Sequence, residues 1–184
     1  MFKLALGSIV LMLALIVGQA AAQEVDAKGD KELTRLTQRI DKSAADSDAG
    51  RVTSRIVDEW KGTTFKFDST SAARALTAQD VQSLRAKGLG YGEISILLAL
   101  TAKQPDSATA KSLSDILAMR QAGEGWGKLA RDLGYKNLGS VIKSVKATEQ
   151  SVTRVAMERS EKVERKPEKP ARPEKPERPE RPGR

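Results

Sequence analysis

Hydrophobic positions change their spacing several times along the chain, and each change marks an element. Leu4 to Val17 is a run of 14 residues, apolar except for Gly7 and Ser8. Gln23 to Gly29 is polar. From Lys31 to Lys42, Leu33, Leu36 and Ile40 recur at i, i+3 and i+7, the signature of one helix face. Asp41 to Gly50 is rich in Ser, Ala, Asp and Gly and is expected to be a linker. Val52, Ile56 and Trp60 then predict a second helix over Arg51 to Trp60, ended by Gly62. Phe65 and Phe67 alternate with polar neighbours between Thr63 and Ser71, over too short a stretch to assign a strand.

From Thr77 onward the pattern occurs twice. Leu84 to Leu98 reads LRAKGLGYGEISILL, and Met119 to Leu133 reads MRQAGEGWGKLARDL, an offset of 35 residues. Arg85 aligns with Arg120, Gly88 with Gly123, Gly90 with Gly125, Tyr91 with Trp126 and Gly92 with Gly127. A period of this size predicts a helical pair stacked on its copy. Thr77 and Ser112 stand three residues before Asp80 and Asp115, the spacing of a helix-starting capping box. Gly88 and Gly123 fall where a helix ends in a left-handed residue, which glycine adopts without a Cβ clash. The second helix of each pair opens at Tyr91 or Trp126. It buries Ile94, Leu97 and Leu98, or Leu129 and Leu133. A last long helix, Ser140 to Arg165, carries Val141, Val145, Thr148, Val152 and Val155 in a 4-3-4-3 seam. Beyond Ala156 its residues turn charged, so it is expected to project from the core.

The expected fold is all-α: a small helical domain of two tandem helix-turn-helix repeats with a projecting C-terminal helix and a disordered polyproline-type tail. The expected segments are 1–22 signal peptide, 23–76 helical and linker region, 77–139 repeat core, 140–165 projecting helix and 166–184 tail. Lys3 supplies the positive start of a secretory signal, and Ala20-x-Ala22 supplies the small residues of a cleavage site. The apolar run is shorter than the roughly 20 residues a spanning helix needs. Export to the periplasm or beyond the cell is therefore expected, with Gln23 as the new N-terminus and no membrane span after cleavage.

Composition narrows the chemistry. The chain has no cysteine and no histidine, which removes disulfide staples, thiolate nucleophiles and the commonest general base. Neither catalysis nor a cofactor or metal is expected. The formal charge is +8. The tail holds 7 basic and 4 acidic residues among its 19, so it is more densely basic than the body. Prolines 167, 170, 173, 176, 179 and 182 recur every third residue, which favours an extended polyproline helix. At about 3.1 Å per residue it would reach roughly 60 Å.

Glu93, Asp115, Glu124 and Asp132 form no recognisable acid/base pair, and Lys128 replaces Glu93 in the second copy. The glycine strings lack the Lys-Ser or Lys-Thr of a phosphate loop. Turn and packing roles are expected for Gly88, Gly90, Tyr91, Gly92, Gly123, Gly125, Trp126 and Gly127. Gly125 to Val145 resembles a DNA-binding helix-turn-helix, in which Lys136, Asn137, Lys143 and Lys146 could meet phosphates or bases. Candidate polyanion contacts are Lys136, Lys143, Lys146, Lys169, Arg172, Lys175, Arg178 and Arg181.

The residues Leu84-Arg85-x-x-Gly88-Leu89-Gly90-Tyr91-Gly92-Glu93-Ile94, with Gly123-Glu124-Gly125-Trp126-Gly127-Lys128-Leu129-Ala130, carry a wider likeness. They resemble the paired GxGWGxI[AS] modules of uncharacterised exported bacterial proteins, over Ala78 to about Ser144. Tyr91 departs from that pattern, which has tryptophan. The resemblance implies fold and compartment and no mechanism. The expected function is that of a non-catalytic envelope protein that binds another protein or an anionic envelope polymer. A nucleic-acid binder and a carboxylate-dependent wall hydrolase are the alternatives.

Overall fold

A computed structural model describes the backbone of residues 8–164 and the side chains of residues 27–161. Among these residues, helices α1 (Ser8–Ala45) and α2 (Ala49–Glu59) lead to a minimal hairpin, β1 (Thr64–Phe65) and β2 (Arg74–Ala75). Helices α3 (Ala78–Ala86), α4 (Tyr91–Ala102), α5 (Leu113–Gln121), α6 (Trp126–Asp132) and α7 (Gly139–Glu164) follow. The chain is thus a small all-α domain with one two-stranded antiparallel pair, in the register Thr64 opposite Ala75 and Phe65 opposite Arg74. Among the described residues no helix is long and apolar enough to cross a membrane.

α4 lies at the centre. Ile94, Ile96, Leu97, Leu98, Ala99 and Leu100 are all fully buried, so this helix is covered almost all round. Such a helix needs neighbours on every side, and it has them in α1, α3, α5, α7 and β1. The three expected positions of α1, Leu33, Leu36 and Ile40, are buried against this core, as are Val52 and Ile56 of α2 and Trp60 at its C-cap.

The linker expected over Asp41 to Gly50 is much shorter. α1 continues to Ala45, and α2 is capped by Asp48, which accepts from the Arg51 N–H at 2.9 Å. Small polar residues that read as linker thus lie on the last turn of a docked helix. The Phe65–Phe67 region also has a definite task. The carbonyls of Lys66 and Phe67 accept the N–H groups of Leu113 and Ser114 at 2.8 and 3.0 Å, satisfying the first free donors of α5.

The seam of α7 is buried along its whole length: Val141, Val145, Thr148, Val152 and Val155 have no exposure. They pack on α1, α2 and α4. The helix projects less than its charged end suggests. Glu158 pairs with Arg51 and Arg55, and Arg159 donates to the Asp46 carbonyl, so the residues after Ala156 still engage α2 and the turn that precedes it. The tail 166–184 lies outside the described residues.

Candidate functional site

The two glycine-rich strings are the starts of α4 and α6, and each is assembled in the same way. α3 and α5 both open on a complete capping box: Thr77 with Asp80, and Ser112 with Asp115. Both end in the Schellman arrangement, with φ of +89° at Gly88 and +92° at Gly123. The Leu89 and Glu124 N–H groups then reach back to the Leu84 and Met119 carbonyls. An L-residue would be strained at either glycine.

An arginine braces each turn. The Arg85 guanidinium lies 4.5 Å over the Tyr91 ring and donates to the Leu89 carbonyl at 2.6 Å. Arg120 lies 4.4 Å over the Trp126 ring and donates to the Glu124 carbonyl at 3.0 Å. A cation over an aromatic face is attracted by the ring quadrupole, and the backbone contact fixes the turn beneath it. Tyr91 and Trp126 are themselves buried. The Tyr91 hydroxyl donates to the Ala49 carbonyl at 3.3 Å.

The residues that complete both turns come from α1. The Gly92 N–H donates to Asp41 Oδ1 at 3.0 Å, and the Gly127 N–H donates to Asp30 Oδ1 at 2.9 Å. Gly90 and Gly125 have no side chain to cap α4 and α6. The carboxylates of Asp41 and Asp30 fill that role from another helix, and their charge suits the positive helix start. The glycines make the approach feasible. A Cβ on Gly90 would lie 2.5 Å from Asp41 Oδ2, and one on Gly125 would lie 2.8 Å from Asp30 Oδ2. A Cβ on Gly92 would lie 2.5 Å from Thr37 Cα, so α1 and α4 touch backbone to backbone there.

Asp30 and Asp41 were absent from the expected site. Their signal is a repeated Asp-Lys pair, Asp30-Lys31 and Asp41-Lys42, spaced 11 residues apart. Eleven residues are close to three helical turns, so both aspartates face the repeats, about 16 Å apart along α1.

The remaining carboxylates serve the fold. Glu93 pairs with Arg120 at 3.3 Å and joins the two repeats. Lys128 pairs with Glu124 at 2.8 Å and Asp132 at 2.7 Å. Hydrogen bonds from Ser112 hold Asp115 below its ordinary pKa. Asp80 is held down to about 2, first by its hydrogen bond from Arg74 and then by Thr77. Burial pushes the Tyr135 phenol up, and its hydroxyl donates to the Leu100 carbonyl at 2.8 Å.

The helix-turn-helix segment spans α6 and the start of α7. α7 buries Val141 and Val145 in the core. Asn137 accepts from the Gly139 N–H at 3.0 Å, capping α7. Lys146 pairs with Glu32 of α1 at 3.0 Å. Lys136 and Lys143 are exposed. Lys143 borders a depression of about 380 Å³ with Trp60, Lys103 and Ser140. The buried Trp60 Nε1 has no hydrogen-bond partner among the described residues. Lys169, Arg172, Lys175, Arg178 and Arg181 lie outside the described residues. A larger, shallow groove of about 520 Å³ runs between α1 and the start of α6, bordered by Lys31, Arg35, Arg120 and Trp126.

No family model, no curated protein and no solved structure matches this chain.

Proposed function

We propose that this chain is an exported, non-catalytic envelope protein, in which a rigid helical core binds a partner and a basic proline-rich tail provides reach. The observation that carries this reading is the use made of the polar groups around the repeats. Glu93, Asp115, Glu124, Asp132, Asp30 and Asp41 each cap a helix or hold a cation of the same chain. General acid/base catalysis calls for a positioned, unsatisfied pair in a dry cleft. Here the same residue types hold a scaffold together.

The N-terminal features agree with export. The described packing of α1, from Leu33 to Ala44, and both of its capping aspartates lie beyond Ala22. Cleavage after Ala22 removes none of these contacts. Mass spectrometry of the native protein is expected to find a chain beginning at or near Gln23. A mature chain retaining Met1 overturns the export reading. Deleting Lys166 to Arg184 is expected to lower retention on isolated envelopes at low salt, and unchanged retention removes the tail from the account.

A further inference from the structure

α1 divides its circumference among three tasks. At 100° per residue, Leu33, Leu36, Ile40 and Ala44 fall on one arc and are buried. Asp30 and Asp41 fall on a second and cap the repeats. Lys28, Lys31, Arg35, Arg39 and Lys42 fall within a third arc of about 80°. All five are exposed.

Among the described side chains of this helix, from residue 27 on, the acidic groups are already engaged. Asp30 and Asp41 accept backbone N–H groups, and Glu32 pairs with Lys146, whose hydrogen bond lowers the pKa of that carboxyl. Of the five cations, Arg39 stands 4.0 Å from Glu149. Lys28, Lys31, Arg35 and Lys42 have neither an ion pair within 4.0 Å nor a hydrogen-bond partner among the described residues, although the charge of Arg35 also helps to lower the Glu32 pKa. They form a single file about 21 Å long, at 1.5 Å per residue. Lys31 and Arg35 also border the open groove that Arg120 and Trp126 line; Asp30 lines it too, with Oδ1 taken by the Gly127 N–H, and Arg120 keeps its pair with Glu93.

We infer that the outer face of α1, with the groove between Lys31, Arg35 and Arg120, binds an extended single-chain polyanion of the polyphosphate type. A file of cations one side chain wide matches one strand of charges. A nucleic-acid duplex presents two strands across a much broader surface and would leave most of its phosphates unmet. This inference gives a seat to the envelope polymer of the proposed function and rests on that reading for its biological setting. It places the contacts on a face of α1 that the sequence-based list of polyanion contacts does not include.

The test is binding of long-chain inorganic polyphosphate to the purified full chain across a salt series. Four cation contacts predict a slope of about −3 in log K against log salt. Lys31→Glu with Arg35→Glu is expected to weaken binding at least tenfold. Lys61→Glu with Lys87→Glu, an equal change in charge at exposed positions elsewhere, is expected to leave it within about twofold. Lys31→Gln with Arg35→Gln gives the same comparison should the acidic pair disturb folding. Equal losses in both pairs, or no loss in either, overturns the inference, as does a short DNA duplex bound in preference to polyphosphate. The measurement is independent of the cell. Loss of envelope localisation with polyphosphate binding intact therefore removes the setting and leaves the stripe in place.

Discussion

Replacing Gly92 by alanine tests the contact on which the arrangement of α1 and α4 depends. Gly92 lies in the first turn of α4 and has an ordinary helical φ, so an exchange judged by propensity alone should stabilise the helix by about 0.5–1 kcal/mol. The surroundings reverse the sign. The new Cβ would stand 2.5 Å from Thr37 Cα and 2.6 Å from the Thr37 carbonyl oxygen, both of them backbone atoms of α1. Carbon atoms pack best about 3.5–4.0 Å apart, so the two helices must part by about 1 Å. Overpacking of this kind costs about 1–3 kcal/mol. The separation also stretches the 3.0 Å bond from the Gly92 N–H to Asp41, and a hydrogen bond to a charged group is worth about 1.5–3 kcal/mol. With the propensity gain offset, the variant should be less stable by about 3 kcal/mol. Urea unfolding reads this as a midpoint lowered by about 1.5 M at a slope near 2 kcal/mol/M, with the slope unchanged. Thr37→Ala in the same chain should not rescue the loss, because it removes only Cγ2, at 2.8 Å, and leaves the two nearer backbone atoms in place. A Gly92→Ala protein as stable as its parent, or one rescued by Thr37→Ala, would refute the backbone contact.

The other predictions concern the caps and the core. Asp30→Ala and Asp41→Ala should each cost about 1–2 kcal/mol in urea unfolding. Standing about 16 Å apart, they should add to within about 0.5 kcal/mol in the double variant, and strong coupling would contradict two independent clamps. The Asp80 carboxyl, held down to about 2, contributes stability that is complete above the unfolded value near 3.8 and is lost as the pH falls towards 2. Because the Arg74 side chain is 50% exposed, solvent screening limits the effect to about 1 kcal/mol. Stability measured from pH 5 to 2, with parent and Asp80→Asn compared, should show the parent's extra loss in that window. Leu98→Ala, at a fully buried position of α4, should cost about 3 kcal/mol by thermal or urea unfolding, and a cost below 1 kcal/mol would move α4 out of the centre.

Local signals made much of the fold legible. A capping box requires only residues three apart, so Thr77 with Asp80 and Ser112 with Asp115 could be read directly, as could the glycines that follow α3 and α5. The seam from Val141 to Val155 was equally readable because its period is fixed by the helix. The clamps were not. Asp41 meets Gly92 across 51 residues and Asp30 meets Gly127 across 97, distances at which no local pattern applies. Asp41 also stands in a stretch whose small polar composition suggests a linker. The short hairpin escaped for a related reason: β1 and the residues after it serve α5, which lies far along the chain. Arg85 and Arg120 were visible as equivalent positions, but their place over Tyr91 and Trp126 depends on the turn between them.

The matching Asp-Lys pairs explain how unequal repeats can share one support. α4 has 12 residues and is buried almost all round, whereas α6 has 7 and is followed by α7. The two helices differ in length, burial and neighbours, yet their starts receive the same carboxylate contact. The common element is α1, where a shift of 11 residues returns to nearly the same face with a rotation of about 20°. That shift carries Asp30 to Asp41 and also Lys31 to Lys42. It thus moves a capping group and an outward cation together from one repeat to the next. The basic stripe is consequently tied to the clamps: with each aspartate held against a helix start, the adjoining lysine is directed to the outer face. One helical period supplies both the spacing of the scaffold and the spacing of the charges it presents.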